Sequence, residues 1–168
     1  MMVGIAGTPG TGKSAVGDVL ARRGRRIVRV AETIAPFVLA EGDGVREVDE
    51  EAWAAAFPPV DGYVEGGLSQ FLPCDRLVIL RCRPDVLRAR LETRGYSPAK
   101  IAENVEAEAL DVVLFEALEH HPPESLLEVE TTARSAEETA DLVEAFADGR
   151  LAPSHGSFDF SGFLAGPP

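Results

Sequence analysis

The stretch GTPGTGKS, residues 7–14, lies directly after the apolar run Val3–Ala6 and directly before a segment with helical periodicity, and it constrains the fold more than any other part of the chain. Its three glycines let the backbone curl so that successive N–H groups turn inward, and the start of the following helix adds a partial positive charge at the same place. A plain strand-to-helix turn would not need a lysine followed by a hydroxyl at this point. The spacing Gly7-x-x-x-x-Gly12-Lys13-Ser14 suits a loop that cradles phosphate. Lys13 would reach the β- and γ-phosphates of a nucleoside triphosphate, and the Ser14 hydroxyl would hold Mg2+.

Such a loop sits at the end of a buried parallel strand, and the rest of the chain alternates accordingly. Val16, Val19 and Leu20 predict a helix over 14–23 closed by Gly24, and Arg26–Val30 reads as a second strand. A helical pattern interrupted by Pro36 covers 32–40, and EEAWAAA, residues 50–56, predicts a short helix stopped by Phe57-Pro58-Pro59. Residues 60–65 form a third strand. RLVILRC, residues 76–82, is apolar almost throughout, as expected of a strand covered on both faces. Pro84 opens another helix, and Ser97-Pro98 caps a long one running to about Glu119. A last strand at 126–129 precedes a helix whose Ser135 and Glu138 have capping-box spacing. About five strand–helix alternations imply an α/β fold, a parallel five-stranded sheet flanked by helices, in one domain spanning 1–168. The tail 149–168 is rich in Gly, Ser and Pro, yet Phe158, Phe160, Phe163 and Leu164 predict that part of it docks on the core.

Charge narrows the partners. With 28 acidic and 16 basic residues the chain carries a formal charge of -12, and no basic stripe with interleaved aromatics occurs, so nucleic-acid binding is not expected. Of the cations only Lys13 and Lys100 are lysines. This suits either a salt-rich cytoplasm, where repulsion is screened over about 3 Å at 1 M, or an ordinary acidic cytosolic protein of arginine-favouring composition. The start MMVGIAG lacks a charged leader, and no run approaches the ~20 apolar residues of a membrane span, so a cytoplasmic protein is expected. Cys74 and Cys82 have no metal-ligand spacing and read as core thiols. His120-His121 reads as a polar helix end, with a metal site as the alternative, and His155 has no visible partner.

No NKxD-type guanine-reading motif is present, which favours a small kinase over a GTPase. A kinase further needs a carboxylate near Mg2+, arginines for the moving phosphoryl group and an acceptor site under a flap. GTPGTGKS, YVEGGLSQFLPCDRLVILRC (residues 63–82) and RLETRGYSPAKIAENVEAEALDVVLFEA (residues 90–117) together resemble the adenylate kinase isoenzyme 6 family over about residues 3–147. The resemblance implies a nucleoside-monophosphate kinase (P-loop NTPase) fold using ATP and Mg2+, with adenylate kinase and ATPase activity. It also implies a role in late maturation of the small ribosomal subunit through a basic ribosomal-protein partner. By position, Gly10, Gly12, Lys13, Ser14 and Ala15 match its ATP loop, residues about 30–53 its monophosphate-binding flap and about 93–103 a short lid. Arg94 matches the lid arginine, the alternative being a surface arginine at a helix C-terminus.

The chain also departs from that family. Where the family has an aspartate and histidines after the third strand, this chain reads Glu65-Gly66-Gly67-Leu68-Ser69-Gln70. Glu65 either replaces the aspartate as the carboxylate serving metal and nucleophile, or caps the following helix. The family's flap arginine is missing, since no arginine lies between Arg29 and Arg46. Three functions stay open at this level: transfer to a nucleoside monophosphate such as AMP, ATP hydrolysis by an assembly factor, and a small-metabolite kinase.

Overall fold

The computed structural model describes residues 1–42 and 45–165. Strand β1, Met2–Ala6, is buried along its whole length and runs into the glycine loop, after which α1, Lys13–Arg22, begins. Then follow β2 (Ile27–Arg29), β3 (Val38–Gly42), β4 (Val45–Val48), α2 (Glu50–Ala56), β5 (Gly62–Glu65) and β6 (Arg76–Arg81). The chain continues through α3 (Pro84–Thr93), α4 (Pro98–Ala109), α5 (Val112–His120), β7 (Leu126–Glu130) and α6 (Ala136–Ala147). Five strands form one sheet in the order β2-β5-β1-β6-β7, and every pairing in it is parallel. β1 is therefore central, flanked by β5 and β6, and the loop that leaves it emerges from the middle of the C-terminal edge.

β6 shows why its sequence alternates so little. Leu77 and Ile79 pack on one face against Leu114 and Ala117 of α5, while Val78 and Leu80 pack on the other with Val16 and Leu20 of α1 and Val143 and Phe146 of α6. Each such side chain contributes about 1.5–3 kcal/mol of burial. The capping box of α6 is present, with Ser135 Oγ accepting from the Glu138 N–H and the Glu138 carboxylate accepting from the Ser135 N–H. Ser97 likewise caps α4 through the Lys100 N–H.

Two expected helices are corrected. Residues 32–40 do not form a helix: single 3-10 turns at Val30–Glu32 and Ala35–Phe37 lead into β3, which pairs antiparallel with β4. Pro36 lacks the N–H that a continuous helix would use. The helix-like spacing of Ile34 and Phe37 instead serves Trp53, which is buried against both and donates its indole N–H to Thr33 Oγ1 at 2.9 Å. The long helix expected from Ser97 to Glu119 breaks at Asp111, whose φ of 57° is left-handed. Such a residue costs about 1–2 kcal/mol. The break lets α4 lay Ile101 on Leu87 and Leu91 while α5 turns onto the sheet, and the Asp111 carboxylate meets Arg81.

His121 is not a polar helix end either. It is buried, its Nε2 is 2.8 Å from the Gln70 carbonyl, and burial pushes its pKa down. His120 meets Phe71 edge-on. Both cysteines are free and buried, and burial pushes the Cys74 thiol up to about 12. Part of the tail docks: Ser154 pairs with β7, and Phe160 is buried with its ring 5.3 Å from the Arg81 guanidinium. Phe163 and Leu164 remain substantially exposed. Among the described residues no helix is long and apolar enough to cross a membrane, and no group of three or more His, Cys, Asp or Glu residues is arranged to hold a metal ion.

Candidate active site

The loop is shaped by its glycines at two points. At Gly7, φ is 141° and a Cβ would lie 2.5 Å from the Leu80 carbonyl oxygen of β6, so only glycine lets β1 turn out of the sheet there. At Gly12, φ is 106°, and a Cβ would meet nothing within 4 Å. The left-handed backbone alone calls for glycine here, at the residue that caps α1 and opens its N-terminus toward solvent. The loop closes on itself through the Thr11 N–H and Oγ1, both donating to the Thr8 carbonyl.

Lys13 folds back over this turn. Its Nζ donates to the Gly7 carbonyl at 2.6 Å and the Thr8 carbonyl at 3.0 Å. Burial of the ammonium lowers its pKa to about 8; the carboxylates of Glu65 and Glu108 oppose that fall and Arg94 adds to it. Ser14, one residue on, points toward the end of β5, where its Oγ is 3.5 Å from Glu65 Oε2. Glu65 is buried to 6% side-chain exposure and also accepts from Arg29 at 3.0 Å, while the other arm of Arg29 pairs with Asp18 at 2.5 Å. Glu65 therefore faces the loop across the sheet edge, not the N-terminus of a following helix.

Arg94 caps the C-terminus of α3 and faces the loop. A cavity of about 310 Å3 opens between Gly10, Gly12, Ala15 and three arginines, Arg90, Arg94 and Arg134. A second cavity, of about 200 Å3, is lined by Gly12, Lys13, Ser14, Arg94 and Tyr96. In a chain of charge -12, walls that carry arginines and a lysine and no carboxylate suit an anionic ligand. All seven residues singled out from the sequence thus come together: Gly10, Gly12, Lys13, Ser14, Ala15 and Arg94 line these cavities, and Glu65 joins through Ser14.

Sequence reasoning missed the supports. Arg90 reaches from α3 to the Gly10 carbonyl at 3.3 Å and the Thr131 carbonyl at 2.8 Å, tying the loop to the end of β7. Thr8 donates to Glu108 Oε2 at 2.5 Å, and Glu108 in turn pairs with Arg81. Arg29 carried a faint signal as the last arginine before a gap; the others show none in the sequence, because their partners lie tens of residues away.

A Mg2+ ion, which a phosphate loop implies, fits the donor set. A hydroxyl and a carboxylate are hard oxygen donors, and Mg2+ commonly takes only one or two protein groups beside phosphate and water. Ser14 Oγ and Glu65 Oε2 are the atoms that would hold it. The side chain of Arg46, the next arginine after Arg29 and so a candidate to replace the missing flap arginine, lies outside the described residues.

A glycine loop leaving the central strand of an all-parallel sheet, opening onto a basic cavity at the helix start, defines a P-loop NTPase fold. Solved structures agree: a gluconokinase from Sinorhizobium meliloti matches with a TM-score of 0.55 at 19% identity, covering 89% of this chain and 92% of that one. A sugar kinase from Janibacter sp. matches with a TM-score of 0.53 at 14% identity, covering 88% and 94%. Residues 3–111 match the AAA domain family. Over 172 residues the chain is 42% identical to a Methanothermobacter thermautotrophicus protein named "Putative adenylate kinase", covering 98% of this chain and all of that one. A Natronomonas pharaonis protein of the same name is 41% identical over 98% of this chain and all of its own, and one from Archaeoglobus fulgidus is 44% identical over 89% and 83%. The chain belongs to the family of these archaeal proteins.

Proposed function

We propose that this protein is an ATP-dependent nucleoside monophosphate kinase of the adenylate kinase type with intrinsic ATPase activity. The observation that carries the reading is the convergence of Lys13, Ser14 and Arg94 on the cavities beside Gly12, in a chain whose relatives bear the adenylate kinase name. Lys13 and the loop N–H groups bind the β- and γ-phosphates. The basic cavity beside Ala15 takes the rest of ATP, and Arg94 neutralises charge on the moving phosphoryl group. Ser14 and Glu65 would hold Mg2+, which when bound neutralises phosphate charge. The chain acts as one domain, with residues about 30–53 as the monophosphate flap, about 93–103 as the lid and 149–168 as the tail.

AMP is the acceptor proposed, and transfer to it is expected to be weak. Arg29, at the threshold of the flap, is already engaged by Asp18 and Glu65, and small residues stand at Ala35 and Gly67. Each missing donor at a phosphoryl-transfer site costs on the order of 2–4 kcal/mol, whereas water needs no flap to bind it. In a coupled assay with each monophosphate beside an ATP-only control, hydrolysis is expected to equal or exceed transfer. Ala35 is exposed and a Cβ at Gly67 meets nothing within 4 Å, so both sites accept larger side chains. Ala35→Arg with Gly67→His should raise transfer to AMP more than hydrolysis; AMP phosphorylation far above the ATPase rate in the unmodified protein would refute the argument.

The charge of -12 is compatible with a second reading, an ATP-hydrolysing factor of the adenylate kinase isoenzyme 6 type that docks on a basic small-subunit ribosomal protein during late maturation. The same charge fits adaptation to salt. If it serves that end, the melting temperature rises as KCl goes from dilute to about 1 M, because screening relieves self-repulsion. A flat or falling melting temperature would remove the halophilic reading.

A further inference from the structure

Glu108 stands behind the loop and is 2% exposed. It comes from α4, a hundred residues along the chain from Thr8. One carboxylate oxygen accepts from Arg81 Nε and from the Cys82 N–H, each at 2.9 Å. Among the described residues the other accepts only from Thr8 Oγ1, at 2.5 Å. Arg81 holds Glu108 a second time by donating to its backbone carbonyl at 3.0 Å, and is itself braced by Glu128 and Asp111. A carboxylate serving only to neutralise Arg81 would have no need to aim an oxygen at the glycine loop. Thr8, moreover, is the residue whose carbonyl receives Lys13 Nζ and closes the turn with Thr11.

We propose that Glu108 is a positioning residue for the phosphate loop: fixed by Arg81, it grips the Thr8 hydroxyl and so sets the carbonyl against which Lys13 is placed. The inference rests on the reading of Lys13 as the phosphate-binding cation.

The test measures kcat and KM for ATP in Glu108→Gln, Thr8→Val, Thr8→Ser and Lys13→Ala, each checked for folding by circular dichroism. Loss of a hydrogen bond to a charged group should lower kcat/KM roughly ten- to a hundredfold in Glu108→Gln and Thr8→Val. Thr8→Ser, which keeps the hydroxyl that Glu108 grips, should stay close to the parent kcat/KM, a rescue that loss of packing at Thr8 does not produce. A loss in folded Thr8→Ser as large as that in Thr8→Val overturns the proposal. Should Glu108→Gln fail to fold, Thr8→Val decides: a fall in kcat/KM supports the role and an unchanged value ends it. Turnover at the parent rate in Lys13→Ala defeats the phosphate-loop reading itself, whereas a dead Lys13→Ala beside unchanged Glu108→Gln and Thr8→Val defeats only the positioning role.

Discussion

Lys13→Ala is expected to lose ATP turnover by at least about 10²–10³-fold, roughly 3–4 kcal/mol of transition-state stabilisation, with its circular-dichroism spectrum unchanged. The fold should survive because the side chain packs in no apolar cluster; its polar contacts are two loop carbonyls at 2.6 and 3.0 Å. The Thr8 carbonyl keeps the Thr11 N–H and Oγ1 as donors when the ammonium is removed, so the loss falls on phosphate binding and not on the core. The loop N–H groups and the basic cavity remain, which is why weak nucleotide binding should outlast turnover. Parent-level hydrolysis by the folded variant would contradict the phosphate-loop reading. A collapse of the spectrum would instead give Lys13 a structural role that its contacts do not support.

Arg81→Ala should be the most destabilising single change outside the apolar core. Its guanidinium is 2% exposed and neutralises Glu108, Glu128 and Asp111, with Phe160 of the tail lying over it. Removing the cation leaves three carboxylates facing one another, two of them almost fully buried. Breaking a buried pair by deleting one partner costs about 3–5 kcal/mol, a large part of the 5–15 kcal/mol typical of a domain. The Gly156 N–H donates to Glu128 at 2.5 Å, so the tail should loosen with the cluster. Arg83→Ala is the control: its pair with Asp85 is about half exposed on both sides, and surface pairs are worth at most about 1 kcal/mol. Urea midpoints that coincide for the two variants would show that the cluster around Arg81 does not hold the structure together.

The chain's local chemistry was legible wherever it acts over a few residues. Gly7, Gly12, Lys13 and Ser14 announce a phosphate loop because each of those types has a backbone or charge requirement that no neighbour can supply. RLVIL announces a central strand because both its faces are covered, and Ser135 with Glu138 announces a helix start because the cap closes within one turn. What only the tertiary structure decided is where distant partners compete with local pattern. Ile34 and Phe37 keep helical spacing yet form 3-10 turns, since Trp53 from the next helix draws them onto it. Asp111 breaks what reads as one helix, since packing α5 on the sheet and meeting Arg81 offset the left-handed backbone. Glu108 lies in a run of acidic residues that by composition is a solvated face, and it becomes the buried link between Arg81 and Thr8. Periodicity and propensity report the residues three or four positions away; a charge buried against a loop one hundred residues earlier depends on how the sheet brings β1, β6 and α4 side by side.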